Sequence, residues 1–163
     1  MKEEKINLTF LKAHFNELDE VEQQLINMAK SAYSNAYAPY SGFLVGTAVL
    51  LENDKIICGN NQENVAYPSG LCAERVALYY AGANYPNVKV KTIAISAKSK
   101  TFTIEEQISP CGACRQVMAE YEIKQNLPIR IMLHTSEENQ ILIANCVADL
   151  LPFLFKSSFL KRH

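Results

Sequence analysis

Three cysteines and one glutamate hold most of the chemical potential of this chain. Cys111-Gly112-Ala113-Cys114 is a CxxC pair, and on the first turn of a helix its two sulfurs would lie close enough to share one metal ion. A redox pair or two core thiols would use the same spacing. Cys72 also stands where a helix is expected to begin, and a helix N-terminus favours the thiolate form that a metal needs. The plain alternative is a small buried hydrophobe, the common fate of a free cysteine. Glu74, two residues later, points at the same helix mouth without sharing the ligand's face. Three protein ligands leave a fourth tetrahedral position for water, which is the catalytic rather than the structural pattern of zinc, and a base beside that water has a task.

Apolar spacing gives the elements that must hold these residues. Val21, Leu25, Met28, Ala29, Ala32, Tyr33 and Ala36 recur at helical steps, and Pro39 ends the run. Leu44 to Leu51 and Ile56 to Asn60 read as a hairpin across Glu52-Asn53-Asp54-Lys55. Cys72 to Ala83 is apolar nearly all round, the mark of a helix buried on more than one side. Val90 to Ser96 is a strand. Ser109 is then an N-cap candidate with Pro110 at the first helical position, for a second cysteine-bearing helix running to about Glu122. Ile129 to Leu133 and Ile141 to Ile143 read as strands around a polar turn, and Val147 to Leu151 as a last helix stopped by Pro152. Ile6, Leu8 and Phe10 alternate as in a short strand within a lead-in of about twenty residues. Helices interleaved with about five strands predict an α/β layered fold on a mixed sheet.

Composition limits what such a fold can serve. The chain has 163 residues, the size of one domain. Its 16 Lys plus Arg against 17 Asp plus Glu give a net charge of −1, with none of the basic footprint of a nucleic-acid or membrane-surface binder. No apolar run approaches the ~20 residues that span a bilayer. Met1-Lys2-Glu3-Glu4-Lys5 leads into an amphipathic segment rather than a secretory signal, so the cytoplasm is the expected address. Five cysteines, an odd number, argue against a disulfide framework.

The segments Cys72-Ala73-Glu74 and Pro110-Cys111-Gly112-Ala113-Cys114 resemble the zinc-dependent cytidine deaminases of the small, homotetrameric kind, a likeness that runs from about Ala29 to Phe155. The resemblance implies a three-layer αβα sandwich with a mixed five-stranded sheet. Residues 1–20 would be an N-terminal extension and residues 21–163 a single catalytic domain. One Zn(II) per subunit would be held by Cys72, Cys111 and Cys114. Glu74 would move a proton from the nucleophilic water to ring nitrogen 3 and help ammonia leave, so that an oxo group replaces the amine on carbon 4. Three thiolates and Zn(II) sum to −1, which makes bound water less acidic than neutral imidazole ligands would. The resemblance places the Arg75 guanidinium on the ligand sulfurs, where it withdraws part of that charge.

The polar run Gly59 to Tyr67 would be a solvated loop in isolation. It resembles the family's ribose-binding segment, in which Asn61 and Glu63 bond the sugar 3′-hydroxyl; an amide and a carboxylate together can donate to and accept from one hydroxyl. Phe43 matches the aromatic wall against the pyrimidine, with Tyr67 and Ala73 as further substrate contacts. Phe155 matches the aromatic that reaches into a neighbouring subunit's pocket, so assembly as a homotetramer would complete the site. The expected function is hydrolytic deamination of cytidine, and of deoxycytidine, in pyrimidine salvage, with a small nucleoside as substrate and neither nucleic acid nor membrane as partner. Two rivals are a deaminase for another aminated ring of the blasticidin type, and a structural zinc module in which Cys58, Cys146 or His134 closes a four-ligand site. A polynucleotide deaminase is disfavoured by the near-neutral charge. His14, His134 and His163 match no ligand position, Gln116 reads as structural, and Arg115 is left without a role.

Overall fold

The computed structural model of the chain describes residues 1–135 and 140–156. Among them, six strands build one mixed sheet: β1 (Phe10–His14), β2 (Phe43–Leu51), β3 (Ile56–Asn60), β4 (Val90–Ser99), β5 (Arg130–Thr135) and β6 (Gln140–Ala144), in the spatial order β1-β6-β5-β4-β2-β3. β4 and β5 run parallel, and the other neighbours are antiparallel. Three α-helices flank the sheet, α1 (Glu20–Tyr33), α2 (Ala73–Asn84) and α3 (Gly112–Gln125).

Successive side chains of a strand point to opposite faces, so each strand feeds two cores. Ala48, Leu50, Ala94 and Met132 pack with Leu25, Ile26 and Ala29 of α1. Val49, Ile93, Ile95 and Ile131 pack with Ala77 and Leu78 of α2 and Met118 of α3. The result is the expected αβα sandwich. α1 starts where Asp19 and Glu22 cap each other: Glu22 N donates to Asp19 Oδ1 at 2.8 Å and Asp19 N donates to Glu22 Oε2 at 3.4 Å, a capping box that satisfies two otherwise free amides.

Several expectations need correction. The sheet has six strands, not five, because Phe10–His14 adds to the free edge of β6, Phe10 opposite Ala144 and His14 opposite Gln140. Ile6 and Leu8 precede that strand and are exposed. α1 ends at Tyr33, well before Pro39, because the chain turns to pair Tyr37 with the loop at Gln62. β4 continues to Ser99 because β2 partners it as far as Phe43. The last helix is only one 3-10 turn, Val147–Asp149. The polar turn after β5 lies partly outside the described residues, as does His163. Among the described residues no helix is long and apolar enough to cross a membrane.

His134 on β5 is 3% exposed, with Nδ1 2.9 Å from Ser96 Oγ. Burial first, and then the nearby Lys30 charge, hold its pKa down at about 4. The folded protein therefore keeps the ring neutral, whereas the unfolded chain takes a proton near pH 6.5. Its contribution is fully present above that pH and is lost as pH falls toward 4, by up to about 3 kcal/mol. Chemical denaturation of wild type and His134→Gln from pH 7 to 4.5 should show a flatter loss of stability in the variant; equal slopes would place the acid sensitivity elsewhere.

Candidate active site

The starts of α2 and α3 converge on the same face of the sheet. Cys72 is the N-cap of α2 and Cys111 the N-cap of α3, and neither spends its side chain on capping. This corrects the expectation for Ser109 and Pro110: α3 begins at Gly112, two residues later than expected, and Pro110 lies before it. α2 sits close on β3 because residue 59 is glycine, where a Cβ would stand 2.7 Å from Ala77 N and 2.8 Å from Ala73 O. That approach brings Cys72 to the mouth of α3.

The Cys72 and Cys111 sulfurs lie 3.8 Å apart and those of Cys111 and Cys114 3.5 Å apart, with all three within 4.8 Å of one another. A tetrahedral zinc with Zn–S bonds of ~2.3 Å sets its sulfurs about 3.8 Å apart, so the donor set fits zinc. Among the described residues no fourth cysteine, histidine or carboxylate joins the cluster. Cys58 lies exposed on β3, Cys146 donates to Asp149 Oδ2, and His134 bonds Ser96 on the opposite face of the sheet. None of the three expected fourth ligands, Cys58, Cys146 or His134, therefore reaches the cluster.

Charge in the cluster is arranged around Cys72. Its thiol is pulled down to about 5, first by the hydrogen bond from Cys114 and then by Arg75 and Cys111. Arg75 Nη2 donates to Cys72 Sγ at 3.6 Å. Cys114 is pushed up by its bond to Cys72, by burial and by the Glu74 charge. The first negative charge thus rests on Cys72, and a second thiolate is costly until a cation arrives. Glu74 is 4% exposed, and burial, reinforced by the Cys72 charge, raises its carboxyl above the usual carboxylate range. Arg75 Nε is buried and has no acceptor among the described residues.

Two cavities open on this cluster. One, about 260 Å³, is lined by Phe43, Asn61, Cys72, Glu74, Ile95 and Cys111. The other, more open and about 510 Å³, is lined by Tyr40, Ser41, Glu63, Tyr67 and Arg75, and shares Asn61 and Cys72 with the first. Of the expected site residues, these cavities bring together Phe43, Asn61, Glu63, Tyr67, Cys72, Glu74, Arg75 and Cys111, with Cys114 behind them. Ala73 has its side chain fully buried and lines neither cavity. Phe155 keeps its ring in solvent while its carbonyl accepts from Gln116 Nε2 at 3.1 Å.

The two residues expected to hold a sugar also hold the entry to β2. Asn61 Oδ1 accepts from Val45 N at 2.8 Å and Asn61 Nδ2 donates to Phe43 O at 2.9 Å. Glu63 accepts from Tyr40 N at 2.8 Å and from Ser41 Oγ at 2.5 Å, and the Ser41 bond keeps its pKa low. Ser41 escapes a search for catalytic residue types, although its place in the Pro39-Tyr40-Ser41-Gly42 turn marks it as a bonding partner. Arg115, without a role in the sequence, donates to Pro110 O at 2.7 Å, Leu150 O at 2.8 Å and Ser109 Oγ at 2.8 Å, fastening the cysteine loop to the C-terminal segment.

Residues 19–127 match the family model described as the cytidine and deoxycytidylate deaminase zinc-binding region. The chain is 44% identical over 98 residues to a cytidine deaminase of Halalkalibacterium halodurans, a match covering 60% of this chain and 70% of that protein. A cytidine deaminase of Sporosarcina psychrophila is 43% identical over 99 residues, covering 61% and 68%. The crystal structure of a Burkholderia pseudomallei cytidine deaminase superposes with a TM-score of 0.68 at 36% identity, over 81% of this chain and 97% of that one.

Replacing Cys111 by Ser should separate metal from fold, because serine is a better N-cap than cysteine but a poor zinc ligand. The Cys111→Ser variant is expected to lose most of its zinc on dialysis, measured by atomic absorption, while its metal-free Tm stays at or above that of metal-free wild type. Full retention of zinc would remove Cys111 from the ligand set.

Proposed function

The chain belongs to the cytidine and deoxycytidylate deaminase zinc-binding family, and on that premise we propose that it converts cytidine and water into uridine and ammonia, with deoxycytidine as a second substrate. One observation carries the reading: three sulfurs lie within 4.8 Å of one another, and two of their residues, Cys72 and Cys111, line a cavity with a carboxyl that is 4% exposed. A zinc ion held by Cys72, Cys111 and Cys114 supplies, when bound, the Lewis acidity that makes water a nucleophile near neutral pH.

Glu74 handles the protons. Its carboxylate takes one proton from the attacking water and carries it to nitrogen 3 of the ring, and the second leaves with the carbon 4 amine as ammonia. A carboxyl whose pKa is raised by burial suits a group that must both accept and return a proton. Arg75, on the Cys72 sulfur, offsets the thiolate charge that would otherwise oppose ionisation of water. Phe43 packs against the pyrimidine, Asn61 and Glu63 receive the sugar hydroxyl on their unused lone pairs and hydrogens, and Tyr67 borders the outer cavity. Ala73 can meet the substrate only through its backbone.

A nucleoside fits these cavities better than a nucleotide. Among the described residues lining them Arg75 is the one cation, and it donates to Cys72 Sγ. Among these described residues a 5′-phosphate would find no cation that is not already bonded to the sulfur cluster.

Self-association, as a homotetramer, accompanies this reading. Tyr67 is 76%, Phe153 83% and Phe155 63% exposed, rings that a neighbouring subunit would cover and that would dry the outer cavity. The proposed setting is the cytoplasm, where five free thiols stay reduced.

An ultraviolet assay of purified protein on cytidine, deoxycytidine, deoxycytidylate and blasticidin tests the substrate class; turnover of blasticidin alone would overturn it. The Glu74→Gln variant should keep its zinc and lose more than the ~10⁴-fold in kcat expected at most from one proton transfer, since the same residue serves several. Near wild-type turnover would refute the mechanism. Glu63→Ala should raise the KM for cytidine by about tenfold or more, and an unchanged value would remove Glu63 from the sugar site.

A further inference from the structure

Phe43 stands against a second aromatic ring outside the cavity. Phe102 lies parallel to it, with centroids 6.1 Å apart and planes inclined by 5°, the offset geometry that aromatic pairs favour. Phe102 is 54% exposed and does not line the 260 Å³ cavity. A ring so exposed adds little to the core, and its specific contact is the Phe43 ring.

The backbone around the pair is fixed from both sides. Gly42 has φ +65°, and a Cβ there would sit 3.1 Å from Thr101 Cγ2, so only glycine lets residues 41–43 turn this tightly against residues 99–102. Lys100 N donates to Gly42 O at 3.0 Å, and Thr101 Oγ1 donates to Ser41 O at 3.4 Å. Ser99 Oγ accepts from Phe102 N at 3.3 Å. On the other side Glu63 holds Tyr40 and Ser41, and Asn61 holds Phe43 and Val45. These bonds fix where the Phe43 backbone lies, but none restrains rotation of its ring.

We infer that Phe102 is a positioning residue for the pyrimidine, holding the Phe43 ring in the plane against which the base packs. The inference rests on the nucleoside deaminase reading. Phe102 reaches neither the sulfurs nor Glu74, so its effect is felt in binding of the ring, equally in ground and transition states. Loss of such an interaction raises KM and leaves kcat alone.

The test compares Phe102→Ala, Phe102→Leu and Phe102→Tyr with wild type, reading KM and kcat for cytidine, the Kd for uridine by titration calorimetry, and zinc content. Tyrosine keeps the flat ring, whereas leucine keeps only apolar bulk. Tyr is expected to match wild type, and Ala and Leu to raise the KM and the uridine Kd together by about three- to tenfold, with kcat within twofold and zinc unchanged. A silent Phe102→Ala, a Leu variant as good as Phe, or a loss of kcat or zinc without a change in Kd would each overturn the role of Phe102. Wild-type protein that neither deaminates cytidine nor binds uridine would overturn the functional reading and this inference with it.

Discussion

Three sulfurs within 4.8 Å of one another are a constraint that the rest of the molecule is built to satisfy. As thiols they are unremarkable, but as thiolates they repel, and each deprotonation raises the cost of the next. Two helix starts, the guanidinium of Arg75 and a divalent cation are the positive charges available to balance them. Each places a demand on the fold. α2 and α3 must begin at one point, so β3 must let α2 come close, and Gly59 does so. The cysteine loop must not drift, and Arg115 ties it to the segment around Leu150.

The residues facing the cluster are shared between two tasks. Asn61 and Glu63 hold the β2 entry through backbone bonds, and the same side chains are proposed to meet a sugar. A residue in that position needs no reorganisation when substrate arrives, because its rotamer is already set. The cost is that a substitution there disturbs the aromatic wall as well as the sugar contact.

Much of this was legible in the sequence because metal chemistry restricts residue type as well as spacing. Cys72, Cys111, Cys114 and Glu74 could be singled out from their positions relative to expected helix starts, and β3 was found at its observed bounds because a hairpin is a local pattern. What escaped depends on distant partners. The alternation of Ile6, Leu8 and Phe10 points to a short strand, but β1 lies at Phe10–His14, where β6 offers a free edge. The start of α3 was displaced by Ser109 and Pro110, a good local capping signal overruled by the convergence of the cysteines. Arg115 and Phe102 are ordinary residues by type, and only their neighbours give them meaning.

The pairing of β1 with β6 joins segments on the order of 130 residues apart. During synthesis β1 leaves the ribosome well before β6 and must wait for the residues between them before it finds its place. Until then β1 keeps its amides and carbonyls unpaired, the kind of border on which chains stick to one another. In the folded chain β1 covers the edge of β6 and becomes the outer strand of the sheet itself, so the border passes to Phe10–His14.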